Sequence, residues 1–269
     1  MTNPTTELST KIESHSESPV IRSETVVAAR VAGLDYDAAM RTILERTLLD
    51  EPGYVCAANV HVVMEAHDDP KVADAVNSAF MVTSDGMPLV WALRLLGLKE
   101  AQRVYGPTLT RFLCAEAANL SIPVGFYGSE PAIVERMITN LLELYPGLNV
   151  VYRYSPPFRK LSPEEDSVIV EEINRSGARL LFVGLGCPKQ ELWMAEHKDS
   201  ITAIMLGVGA AFDFIAGNKP QAPAWLQNIG LEWLFRLVTE PKRLWRRYLY
   251  HNPRFVYHFM KQLLLDRQK

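Results

Sequence analysis

Between Leu180 and Trp193 the chain reads Leu-Leu-Phe-Val-Gly-Leu-Gly-Cys-Pro-Lys-Gln-Glu-Leu-Trp, and the chemistry open to that spacing is the binding of phosphate. Four apolar residues describe a buried parallel strand, Gly184 and Gly186 permit a sharp turn, and a polar, helix-compatible run follows. Backbone N–H groups in such a turn can approach a bound group closely. Pro188 suits a first helical position, and the helix N-terminus favours negative charge. A carboxylate stands out elsewhere: Asp85 follows the apolar run Phe80-Met81-Val82-Thr83, with Gly86 beside it for backbone freedom and Pro88 opening the next helix. Its competing reading is a helix N-cap. Asn59 ends the run from Tyr54 in the same way. Near the C-terminus, Arg236, Arg243, Arg246 and Arg247 offer planar guanidinium forks, which bind phosphate oxygens two at a time.

These groups need a scaffold that brings strand ends together. Apolar runs at Tyr54–Ala58, Phe80–Thr83, Ile122–Tyr127, Asn149–Tyr154, Leu180–Leu185 and Ile201–Val208 alternate with amphipathic runs, without Asn-Gly hairpin signals between strands. That order predicts an α/β fold, a Rossmann-like parallel sheet covered by helices on both faces, with ligands at the carboxyl ends of the strands. Those ends carry Asn59, Asp85, Gly128, Gly184, Gly186, Gly209 and Asp213. Residues 131–144 read as a helix, and Ser162-Pro163-Glu164-Glu165 as a capping box with proline at the first position. Val26 to Leu34 is a first strand or hairpin arm. Asp35-Tyr36-Asp37 resembles a metal-holding Asp-x-Asp pair, but it precedes the periodic run Ala38–Leu49 and reads as helix capping, so no metal is assigned to it.

Three regions follow: a polar, Ser/Thr/Glu-rich leader at 1–22 expected to be disordered, a catalytic α/β domain at 23–220, and a C-terminal basic helical appendage at 221–269. In the appendage a bend is expected near Pro241 and a last helix from Pro253. The net charge of −3 hides an asymmetry, because residues 225–269 hold nine Lys/Arg against three Asp/Glu. Interleaved with Trp225, Trp233 and Trp245, that charge fits an anionic membrane surface better than a groove tracking nucleic acid; a helical hairpin docked on the core with solvated arginines fits the composition equally well. No run is long and apolar enough to span a bilayer, and no secretory signal is visible. Cys56, Cys114 and Cys187 lack metal-ligand spacing and read as reduced thiols of a cytoplasmic protein. His61, His67, His197, His251 and His258 also lack ligand spacing, so structural roles are expected.

Several motifs together resemble one family. Thr83-Ser84-Asp85-Gly86-Met87-Pro88, Arg103-Val104-Tyr105-Gly106, Phe126-Tyr127-Gly128, Val183 to Glu191, Gly207-Val208-Gly209, and Ala222-Pro223 with Gly230-Leu231-Glu232-Trp233 and Arg236 are similar to the WecG/TagA/CpsF glycosyltransferases, glycosyltransferase family 26. The resemblance implies an inverting, metal-independent transferase without a cofactor. It would carry an N-acetylhexosamine, hexose or uronic acid from a UDP-sugar to a polyprenyl-diphosphate-linked saccharide, as a peripheral protein on the inner face of the cytoplasmic membrane. It makes Asp85 the catalytic base. Asn59, Thr83, Gly128, Gly184, Gly186, Pro188, Lys189, Gln190, Glu191, Gly209 and Asp213 become the donor and substrate pocket, and Arg236, Arg243, Arg246 and Arg247 the diphosphate and lipid-acceptor site. Family members often carry Thr two residues before the pocket Asn; here Ala57 removes that hydroxyl.

Inverting transfer needs a base for the acceptor hydroxyl and positive charge for the leaving diphosphate, and the residues above supply both. Two other readings are open: a Rossmann oxidoreductase built on Gly184-x-Gly186, weakened by Lys189 where the fingerprint wants glycine, and a non-catalytic membrane-binding scaffold. Self-association is left open.

Overall fold

The computed structural model describes residues 21–266, so the leader expected at 1–22 lies almost wholly outside the described residues. The described chain opens on a hairpin of β1 (Ser23–Val26) and β2 (Ala29–Ala32), paired antiparallel. Its turn is made by Val27 at φ 59° and Ala28, a conformation that β-branched residues rarely adopt.

Six further strands form one parallel sheet: β3 (Gly53–Ala58), β4 (Met81–Ser84), β5 (Val124–Gly128), β6 (Val150–Tyr154), β7 (Leu180–Gly184) and β8 (Ile204–Gly207), in the order β4-β3-β8-β7-β5-β6. Both faces are covered. In β7, Leu181 and Val183 enter one apolar cluster with Tyr54, Met64 and Leu93, while Leu180 and Phe182 enter the other with Ile43, Leu113 and Phe212. Side chains alternate across a strand, so an unbroken apolar run is stable only with cover on both sides. The α/β, Rossmann-like expectation is met.

The cover is helical: α1 (Tyr36–Leu48), α2 (Val60–Asp68), α3 (Pro70–Asn77), α4 (Met87–Leu95), α5 (Gly106–Asn119), α6 (Pro131–Leu144), α7 (Pro163–Ser176), α8 (Lys189–His197) and α9 (Ala211–Ile215). Asp35 caps α1, accepting from Ala38 N–H at 2.9 Å, as its sequence position predicts. The capping box of Ser162 and Glu165 at α7 is also present. Pro188, expected as a first helical residue, instead occupies the N-cap of α8 after a cis Cys187–Pro188 bond.

The appendage holds α10 (Ala224–Asn228), α11 (Glu232–Thr239) and α12 (Pro241–Asp266). The expected break at Pro253 does not occur: α12 runs through it. Pro253 cannot donate to the carbonyl of Leu249, but Leu244, His251, Phe255 and Phe259 are buried at helical spacing on either side of it, and that stripe holds the helix together. Gln262 reaches the hairpin tip, accepting from Val27 N–H at 2.9 Å and donating to the Thr25 carbonyl at 2.6 Å. The helix is thus fastened to the body along its length.

Candidate active site

After β4 the chain crosses the sheet to β5, so the loops leaving β3, β4, β7 and β8 converge at their carboxyl ends. Asp85 stands in the first of these loops. Its N–H continues the ladder to the Ala58 carbonyl at 2.8 Å, and its Oδ1 accepts from the N–H of Gly106, the first residue of α5, at 2.7 Å. The N-cap of α4 is Gly86, which makes no side-chain cap bond. Asp85 therefore does meet a helix N-terminus, but of a different helix from the one its sequence neighbours suggest.

Asn59 is the N-cap of α2, its Oδ1 accepting from His61 N–H at 3.0 Å, and its side chain also hydrogen-bonds Asp85. Burial pushes the Asp85 carboxyl above the usual carboxylate range; the Arg103 charge, the Gly106 N–H and Asn59 pull it back only in part. The result is a partly buried carboxylate, held at two points, whose proton affinity exceeds that of a free one, as a general base requires.

Arg103, of the Arg-Val-Tyr-Gly motif, joins the two halves of the site. Its Nε donates to the Asp85 carbonyl at 2.6 Å, its Nη1 to Gln227 of α10 at 3.1 Å, and its Nη2 pairs with Glu232 of α11. The guanidinium also lies 4.1 Å above the Tyr105 ring. One side chain thus fixes both the loop of the carboxylate and the position of the appendage. Sequence offered one signal, the Arg-Val-Tyr-Gly motif, but nothing to pair it with Glu232.

Opposite Asp85 the appendage closes a cleft. Its apolar wall is Met87, Pro88, Trp233 and Tyr248; its floor runs through Asn59, Gly207 and Gly209 to Gln190. Arg236, Arg243 and Arg247 line it, and the Nε atoms of Arg236 and Arg247 are buried without a hydrogen-bond partner. Desolvation holds the Arg247 pKa below its ordinary value. Among the described residues Arg236 has only a 4.0 Å contact with Glu240 as counterion; a desolvated guanidinium such as that of Arg247 is costly, and an anion entering this cleft would relieve it. Arg243 is partly engaged, since Lys219 bridges Asp213 (3.0 Å) and Glu240 (3.4 Å), and Glu240 holds Arg243 at 2.6 Å.

The remaining candidates fall into three groups. Gly186, Gly209 and Gln190 line the cleft. Gly186 N–H donates to Gln190 Oε1 at 3.1 Å, so the glycine turn satisfies one of its own donors instead of presenting it to phosphate. Gln190 Nε2 in turn donates to Glu191 Oε1 at 2.9 Å; Glu191 is fully buried, its carboxyl raised by desolvation, and it acts behind Gln190 outside the lining. Gly128, Gly184 and Lys189 belong to a different place. Gly184 and Lys189 line a cavity of about 580 Å³ with Tyr127 and Trp193 beyond β7, and Gly128 packs so closely on Gly184 that an added Cβ would lie 2.6 Å from its carbonyl carbon.

Thr83, Pro188, Asp213 and Arg246 line neither space. Thr83 is buried in β4, and Asp213 is bonded to Lys219 and Asn218. Arg246 is exposed, 5.2 Å over Trp245. Burial pushes the Cys187 thiol up, which makes it a packed group and not a thiolate.

The cleft can therefore hold an anion under arginines, present a second substrate to a carboxylate, and cover both with an aromatic wall. The model of the Glycosyl transferase WecG/TagA/CpsF family matches residues 24–269, and the chain belongs to that family. Membership makes it a glycosyltransferase of cell-surface polysaccharide synthesis, with a nucleotide-sugar donor and a saccharide acceptor.

Proposed function

We propose, with membership of that family as the premise, that this glycosyltransferase inverts the anomeric carbon of a UDP-linked sugar and passes the sugar to a polyprenyl-diphosphate-linked saccharide. The observation that carries the reading is the pair of guanidinium groups of Arg236 and Arg247 lining the cleft with Asp85, each with a buried Nε that has no hydrogen-bond partner. Asp85 removes the proton of the acceptor hydroxyl as its oxygen attacks the anomeric carbon, and the bond to the leaving diphosphate breaks on the opposite side. Charge developing on that leaving group is met by Arg236, Arg243 and Arg247, so the transfer needs no metal on the diphosphate. Gln190 and Asn59 fix the floor against which the sugar rests, and Ala57 leaves more room there than a threonine would.

The acceptor's lipid places the enzyme on the inner face of the cytoplasmic membrane. Among the described residues, no helix is long and apolar enough to cross a bilayer. Leu234, Val238, Trp245 and Leu249 are all exposed on α11 and α12, beside the exposed Lys242 and Arg246. Apolar side chains rimmed by cations suit the headgroup boundary of an anionic bilayer.

The test is turnover. Purified protein is offered a panel of UDP-sugars and a short-chain polyprenyl-diphosphate saccharide, and the product is resolved chromatographically with its anomeric configuration. Transfer with inversion that disappears in Asp85→Asn is expected; retention of configuration, or full turnover by the variant, would overturn the reading.

A further inference from the structure

Four of the six histidines of the chain meet on one seam, between α2 and α12. His61 faces His251 with ring centroids 4.9 Å apart, and His67 faces His258 at 4.1 Å. At the first pair a carboxylate joins them. Glu65, one turn after His61 on α2, places Oε1 3.5 Å from His61 Nδ1 and 3.5 Å from His251 Nε2, and the three ligand atoms all lie within 4.8 Å of one another.

The ring of His61 is already oriented. It hydrogen-bonds the backbone of Cys187, while Nδ1 is buried without a hydrogen-bond partner. Nδ1 faces the Glu65 carboxylate oxygen at 3.5 Å without a hydrogen bond, and a neutral ring carrying its proton on Nε2 presents a lone pair there. Two acceptors facing each other repel unless a cation stands between them. A tetrahedral ion with bonds of about 2.0–2.1 Å holds its ligands roughly 3.4 Å apart, close to the two 3.5 Å separations from Glu65 Oε1. A backbone carbonyl on the far nitrogen is also the usual outer support of a metal-binding histidine.

We propose that His61, Glu65 and His251 bind a divalent transition ion of the zinc class, which clasps α12 to α2. Two imidazoles and one carboxylate form a borderline donor set of the kind zinc accepts, with the fourth position left to water. That position opens on the cleft, whose wall includes both His61 and His251. Arg247 and Arg254 add positive potential around Glu65, and Asp68 and Asp69 at the end of α2 oppose it. The ion's role is to hold the helix that carries Arg243 and Arg247 over the cleft. It does not bridge the donor phosphates, and its binding is independent of which sugar is transferred. Sequence spacing conceals the set, because two ligands sit one helical turn apart and the third lies near the other end of the chain.

The test uses tag-free, full-length protein stripped with chelator and dialysed against Zn²⁺ or Co²⁺. The expected result is one equivalent of ion per chain, visible d–d absorption for bound Co²⁺, and a raised Tm. Glu65→Gln and His251→Ala should each weaken binding more than the roughly 10–100-fold loss typical of outer-shell changes, while His258→Ala leaves it intact. Should the variants fold poorly, paramagnetic broadening of the His61 and His251 ring resonances by Co²⁺ in the unaltered protein gives the same answer. No saturable uptake at micromolar ion would overturn the proposal and assign the gap to a proton shared with Glu65. Binding lost in His258→Ala but kept in His251→Ala would overturn it in favour of the neighbouring pair.

Discussion

Asp85 Oδ1 accepts the Gly106 N–H at 2.7 Å, so the carboxylate is positioned by a helix that begins twenty-one residues later in the chain. Replacing it by asparagine keeps an oxygen for that bond while removing the base. Asp85→Asn should therefore lower turnover by about 10²–10⁴-fold, with a circular dichroism spectrum and melting transition that report an intact fold.

Burial raises the pKa of both Asp85 and Glu191. The proposed base must be ionised to accept a proton, so kcat/KM should fall as pH drops through the raised pKa of Asp85. Stability runs the other way. A carboxyl whose folded pKa lies above its unfolded one contributes stability that is fully present below the unfolded pKa and lost as pH rises through the folded pKa. Asp85→Asn and Glu191→Gln should thus each have a higher Tm than the parent at neutral pH, with the gap closing toward acid; melting curves across that range check it.

Arg236 and Arg247 hold buried Nε atoms without partners. Removing either guanidinium should raise the dissociation constant of UDP and lower turnover by about 10²–10³-fold; at Arg247 no stability should be lost, because a desolvated cation goes with it, whereas Arg236 also gives up its 4.0 Å contact with Glu240. Calorimetric titration with UDP, paired with a melting curve, reads both. A large fall in Tm with unchanged UDP affinity would assign these residues to packing alone.

Arg103 contacts Asp85, Gln227 and Glu232 at once. Arg103→Ala leaves Glu232 largely buried without its partner and should cost about 3–5 kcal/mol, with new protease cuts near the start of α10. Arg103→Lys keeps the charge but not the fork, so it should recover part of the stability and little of the activity.

Exposed Leu234, Val238, Trp245 and Leu249 are expected to meet lipid. Serine at Val238 and Leu249 together should weaken flotation with anionic liposomes while the protein remains folded and binds UDP normally. Undiminished flotation would move the membrane contact elsewhere on the surface.

Much of the scaffold is legible from residue order because it follows from local rules. The six buried runs, the cap at Asp35 and the box at Ser162 each need only near neighbours. Val27 in a hairpin turn and an unbroken helix through Pro253 are not legible, since in both cases distant packing overrides local preference: Gln262 ties down the turn, and Phe255 and Phe259 anchor the helix. The site divides along the same line. Asp85, Asn59, Arg236, Arg243 and Arg247 can be picked out at strand ends and in a basic run, and Gln190 only through the family resemblance. The bond of Gly186 to Gln190, the withdrawal of Asp213 to Lys219, and the meeting of Arg103 with Glu232 depend on three-dimensional proximity, for which spacing in sequence carries no signal.

The three-way grip of Arg103 also bears on how variants combine. Changes at Gln227 or Glu232, over a hundred residues from Asp85 in sequence, act on the same guanidinium that steadies the Asp85 loop. Their effects on rate should be strongly epistatic with those at Arg103, each masking the other instead of adding. Tolerance to substitution in α10 and α11 is thereby tied to the Asp85 loop, and drift in the tail of the chain is constrained by a side chain far from it in sequence.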